Sequence, residues 1–144
     1  MRNAPPDKYN VAWFKLAECV SRGEKERALG VYRLLAHSLH DSAFARQLQG
    51  DILLAFNDVT GAIEHYKTAA RVYQLEERFL EAAAVYEHLL VLLIDKGDCL
   101  AKLVELHGLL GNTAKVSQHA SELFALLLAN NLSDEALSIV EQLD

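Results

Sequence analysis

Six histidines are the side chains of this 144-residue sequence best suited to hold a metal or move a proton. His37 and His40 form the nearest pair, with Asp41 adjacent. At that spacing a helix projects both imidazoles from one side, the first requirement of a ligand pair. A third ligand at a fixed interval is missing, so the pair reads as solvated imidazoles near a helix C-terminus, whose dipole favours positive charge. His65, His88, His107 and His119 stand singly among helix-forming residues and read as structural. Cys19 and Cys99 are far apart and share no metal-ligand spacing, which suits two half-buried thiols in a reducing compartment. HExxH, GxSxG, Walker-type and GxGxxG patterns are absent, and Gly108-Leu-Leu-Gly111 is too sparse to cradle a phosphate. The expectation is a chain with no catalytic group, no metal and no cofactor.

The elements that would position any site are helices. The sequence is 51% apolar with seven Gly and two Pro, and Pro5 and Pro6 both stand in the first ten residues. From Asp7 onward nothing forbids helix, and Leu, Ala, Glu and Lys dominate where strands would call for Val, Ile and Thr. The length suits one domain able to bury roughly 70% of its unfolded surface, here a disordered or extended lead over 1–8 and a helical domain over 9–144. A net charge of −6 repels a phosphate backbone, and the densest basic stretch, Arg22 to Arg27, carries its own acids at Glu24 and Glu26, which argues against nucleic acid. The longest apolar run, Leu89 to Ile94, falls far short of the ~20 residues that span a bilayer, and MRNAPPDKYN has no apolar leader core. No membrane insertion and a cytoplasmic location are expected.

Laying the chain on itself exposes a repeat. Arg27-Ala28-Leu29-Gly30-Val31-Tyr32 returns as Gly61-Ala62-Ile63-Glu64-His65-Tyr66, so that Ala28 and Ala62, and Tyr32 and Tyr66, stand 34 residues apart. It returns again as Glu81-Ala82-Ala83-Ala84-Val85-Tyr86, 20 residues after Ala62, and in weakened form as Glu135-Ala136-Leu137-Ser138-Ile139-Val140. A small residue followed four positions later by a ring lies on one helix face. The alanine lets a neighbouring axis approach to ~8–10 Å and the ring fills the groove beside it.

Tyr66-x2-Ala69-Ala70-x2-Tyr73 followed by Ala82-x3-Tyr86 resembles the tetratricopeptide repeat, whose first helix carries W-x2-L-G-x2-Y and whose second carries A-x3-F/Y. Leu100-x2-Leu103-Val104-x2-His107, with Gly111-Asn112 and Val116, is a weaker copy. The first two repeats keep the second-helix signature and depart from the first, with Ala12, Leu16 and Cys19, then Arg46, Gly50 and Leu53, near the expected places. The resemblance implies an all-α, right-handed α-α superhelix, a solenoid of about eight antiparallel helices. Breakers place these near 9–22, 24–40, 42–56, 58–75, 77–96, 98–110, 112–130 and 132–143, with Gly23, Asn57-Asp58, Gly97-Asp98, Gly111-Asn112, Asn131 and Ser133-Asp134 at the turns.

It further implies a protein-interaction module, an adaptor or scaffold that holds a peptide or helix of another protein on a concave face lined by first helices. Carried onto this chain, the ligand-facing positions are Asn10, Trp13, Phe14 and Ala17, then Phe44, Gln47 and Asp51. With no cation among them, a clamp for a C-terminal carboxylate is disfavoured and an apolar or basic segment suits better. Trp13 reads either as a binding hot spot or as a core anchor against the second helix. Two other roles remain open: a small acidic chaperone of the secretion type for an aggregation-prone client, and a homo-oligomer joined through the apolar helix 77–96. That helix is apolar on nearly every face in its second half, which marks a central helix or an interface between copies. The last helix, with Ala136, Leu137, Ile139, Val140 and Leu143 on one side, reads as a cap with a polar outer face.

Overall fold

A computed structural model describes residues 8–130 and 133–143, with side-chain environments over 11–130 and 137–143. Among these residues there are eight α-helices and no strand: α1 (Lys8–Ser21), α2 (Lys25–Ser38), α3 (Ser42–Ala55), α4 (Val59–Leu75), α5 (Phe79–Leu92), α6 (Gly97–Leu109), α7 (Thr113–Ala129) and α8 (Ser133–Gln142). None of the described helices is long and apolar enough to cross a membrane. The chain forms two compact units, 1–69 and 70–144, the boundary falling inside α4.

Four turns share one construction. After α1, α3, α4 and α6 a single residue takes a left-handed conformation: Gly23, Asn57, Glu77 and Gly111, with φ of 71°, 64°, 59° and 74°. In each case the next N–H reaches back five residues to a helix carbonyl at 2.9 Å: Glu24 to Cys19, Asp58 to Leu53, Arg78 to Tyr73, Asn112 to His107. This satisfies a carbonyl that the helix end would otherwise leave bare. Gly23 and Asn57 stand 34 apart, as do Glu77 and Gly111, the interval that also separates Ala28 from Ala62. The following helices start on side-chain caps at Asp58, which accepts from Gly61 N–H at 2.9 Å, and Asn112, which accepts from Lys115 N–H at 3.2 Å; Asp41 does the same for α3 through Phe44 N–H at 3.1 Å.

The repeated alanines do what their spacing predicts. Ala28, Ala62 and Ala82 are wholly buried, and Tyr32, Tyr66 and Tyr86 are buried beside them. Each phenol donates a hydrogen bond: Tyr32 to the Ala45 carbonyl at 2.8 Å, Tyr66 to the Asp51 carboxylate, and Tyr86 to Gln74 Oε1 at 3.3 Å. Burial is the first cause that raises the pKa of all three, which keeps them donors. In the first unit Leu16, Cys19, Ala28, Tyr32, Leu35 and Ile52 form one core cluster. In the second, the stripe Leu100, Leu103, Leu106 and His107 of α6 is buried, with Leu89 of α5 and Leu123 of α7.

Several expectations are corrected. The fifth helix runs over Phe79–Leu92, not 77–96: Glu77 is left-handed, and Leu93 is already extended. The Lys96 ammonium explains the early end, donating to the Leu90 and Leu93 carbonyls at 2.5 and 2.9 Å and so capping the last turn. Its apolar second half divides, with Leu89 buried while Val91 is 79% and Ile94 100% exposed. Cys19 and Cys99 are buried thiols, not joined in a disulfide, rather than half-buried ones, and the Cys99 thiol donates to the Tyr86 carbonyl at 3.1 Å. On α8 the expected apolar side is uncovered at Leu137, Val140 and Leu143, because its main neighbour is α7 and one helix covers only one stripe.

Candidate functional site

A groove of about 450 Å³ opens between α1 and α3. Trp13, Leu16, Ala17 and Val20 line one side and Leu48, Asp51, Ile52 and Ala55 the other. Both sets follow the spacing i, i+3, i+4, i+7, which places four side chains on one helix face. Leu16 and Ile52 are the buried floor, also part of the core cluster, while Ala17, Asp51 and Ala55 are exposed rim. The lining surface is almost wholly apolar: Ser21 and Asp51 border the groove, and their polar atoms scarcely enter it.

Of the seven positions taken from the sequence, the groove brings together Trp13, Ala17 and Asp51. Trp13 is half-buried, packs on the core cluster and also lines the groove. Phe14 is 76% exposed but lies one position off the α1 stripe, and a rotation of ~100° carries it away from the groove. Phe44 is exposed and Gln47 half-buried on α3, and neither lines the groove. Asn10 lies in α1, and its side chain falls outside the described residues. Leu48, Ile52 and Ala55 were missed, although their alternation with Asp51 at helical spacing is a signal the sequence carries.

The Asp51 carboxylate is held by the buried Tyr66 hydroxyl, and Gly50 makes that contact sterically feasible. A Cβ on Gly50 would stand 2.8 Å from Tyr66 Cε1 and 2.9 Å from Cδ1, and a wholly buried ring has little room to retreat. Gly50→Ala therefore sets an overpacking cost of about 1–3 kcal/mol against a helix-propensity gain of about 1 kcal/mol. A net loss of stability is expected. Gly30, inside α2, meets nothing within 4 Å, so Gly30→Ala is expected to gain about 0.5–1 kcal/mol. Urea denaturation of the two variants checks the opposite signs; a shared sign would mean that the Tyr66 ring does not hold Gly50 as glycine.

The histidines are arranged differently from their reading along the chain. His37 and His40 are exposed, and α2 ends at Ser38, so the pair does not share a helical turn. His107 on α6 and His119 on α7 instead stack, with ring centroids 5.7 Å apart and planes 22° from parallel. Both Nε2 atoms meet the Oε1 of half-buried Glu87 on α5, at 3.1 and 2.5 Å. Burial pushes the Glu87 carboxyl up while the hydrogen bonds from His119 and His107 pull it down, and the net shift is downward. Three groups on three successive helices leave no local spacing for a sequence motif to show.

No known protein family matches the chain, and no curated protein is detectably similar to it. The class defined by fold and site is thus an all-α chain of helical hairpins that carries an apolar, acid-rimmed groove and a separate buried carboxylate–dihistidine cluster.

Proposed function

We propose that this chain is a tetratricopeptide-like interaction module, an adaptor or scaffold in the cytoplasm that takes an apolar segment of a partner protein between α1 and α3. The observation that carries this reading is the paired i, i+3, i+4, i+7 lining of the two helices, which offers a continuous apolar strip with one fixed carboxylate on its rim. A partner helix presenting Leu- or Phe-like anchors would bury them there, and a Lys or Arg one turn along would meet Asp51. Charge on the rim selects register and partner more than it adds affinity. This role asks for no catalytic group.

Selection from a displayed peptide library tests it. The selected peptides are expected to combine apolar anchors with a basic residue, and to bind Ala17→Arg at least tenfold more weakly than the unaltered chain, about 1.4 kcal/mol. Ala17 is exposed on the groove rim, so the substitution fills the groove without opening the core. Phe14→Ala, on another face, should leave binding unchanged. Peptides that bind Ala17→Arg as well as the unaltered chain would place the surface elsewhere.

A second reading, association of two copies, is favoured by the exposed apolar side chains of Leu80 and Val91 on α5 and of Ile94 just after it. Light scattering that gives a monomer mass at every concentration removes it.

A further inference from the structure

The Glu87–His107–His119 cluster is not used by the groove and is built unlike a casual surface group. Each residue offers one ligand atom, and the three atoms lie within 4.8 Å of one another. Both imidazoles are buried, and the Nδ1 atom of each has no hydrogen-bond partner. Buried polar atoms without partners are uncommon and call for a reason.

We propose that Glu87, His107 and His119 form a binding site for one zinc-class divalent cation, joining α5, α6 and α7. Geometry carries the argument. The Nε2 atoms of His107 and His119 converge on one carboxylate oxygen, Glu87 Oε1, at 3.1 and 2.5 Å, so three donor atoms from three helices face a single point. With an ion on both Nε2 atoms each ring carries its hydrogen on Nδ1, and the Nδ1 of His119 stands 3.9 Å from Glu122 Oε1, placed as an outer carboxylate that orients a metal-bound imidazole commonly is.

Two neutral imidazole nitrogens and one carboxylate oxygen form a donor set that zinc accepts, with a fourth position left for water. Hard cations that require all-oxygen shells do not suit it. Zinc–ligand bonds of about 2.0–2.2 Å set ligand atoms roughly 3.3 Å apart, so Glu87 must draw back slightly and the two imidazole nitrogens, within 4.8 Å of one another, must close on the ion by small turns of the rings. Glu87, as the half-exposed member, has the most room to move. Lys115 attracts Glu87 and opposes a further positive charge, which weakens the site without removing a ligand.

The test is calorimetric titration of the chelator-stripped chain with zinc, repeated with cobalt to read its visible bands. The expected result is one ion per chain, intense bands of a four-coordinate cobalt centre, and a thermal midpoint that rises with zinc. Glu87→Gln and His119→Gln should each bind at least tenfold more weakly and lose the thermal rise. His37→Gln/His40→Gln, which removes the exposed histidines, should behave as the unaltered chain. Should His119→Gln fail to fold by circular dichroism, Glu87→Gln decides, because it is half-exposed and glutamine keeps an oxygen acceptor. Absence of zinc binding, binding that survives Glu87→Gln, or binding lost with His37→Gln/His40→Gln each overturns the proposal.

Discussion

Leu103→Ala is expected to destabilise the second unit by about 2–5 kcal/mol, the range for emptying a fully enclosed leucine site. Leu103 is wholly buried on α6, with Leu100, Leu106 and His107 buried on the same helix. Truncation removes three carbons from a region with no solvent to refill it, so the loss combines transfer free energy with that of the residual cavity. For a chain of this length about 1 kcal/mol moves the midpoint by roughly 2–4 °C, so a fall of roughly 4–20 °C is expected by differential scanning calorimetry. Leu109→Ala, on the same helix but exposed, should stay within about 0.5 kcal/mol of the unaltered chain. Equal effects from the two would mean that α6 is rotated relative to this account. Leu103 also stands one turn before His107, so loosening it should weaken the zinc-induced thermal rise as well as the baseline stability.

The residues that made the fold readable are those whose constraint is local. Ala28, Ala62 and Ala82 must be small because another helix covers them, and their rings four positions on must fill what remains. Gly23, Asn57 and Gly111 take left-handed turns that their types favour, and Asp58 and Asn112 cap the next helix from the following position. Glu77 occupies the same turn with a residue type that signals nothing, because the φ of about 59° is imposed by the helices on either side. The early end of α5 was hidden for a related reason. Leu89 to Ile94 reads as an unbroken apolar run, and what stops the helix is the Lys96 side chain reaching back to its carbonyls.

The candidate sites were legible in proportion to how far they depend on one helix. Trp13, Ala17 and Asp51 are found from a single-helix pattern, whereas Phe14 and Gln47 lie one step out of register and face elsewhere, and Phe44 keeps the register but stands a turn before the groove begins. The Glu87 cluster depends on the packing of α5, α6 and α7 and is invisible along the chain. His107 occupies the place where the repeat puts a ring, and that ring position, once buried, is what brings its Nε2 to Glu87.

Ala62→Leu and Ala82→Leu test the repeat itself, one in each unit, and each is expected to cost about 1–3 kcal/mol. Both alanines have no exposed surface, so the three added carbons must displace a neighbouring helix or leave their preferred rotamer. Leucine and alanine differ little in helix propensity, so the loss would report packing rather than backbone preference. Ala129→Leu, at the exposed end of α7, makes the same chemical change without a crossing helix and should alter stability by less than about 0.5 kcal/mol. Chemical denaturation of the three variants separates the cases. If Ala62→Leu and Ala82→Leu unfold at the same denaturant concentration as the unaltered chain, the small residues do not mark helix crossings. The recurrence of alanine and tyrosine four apart would then be a matter of composition rather than of architecture.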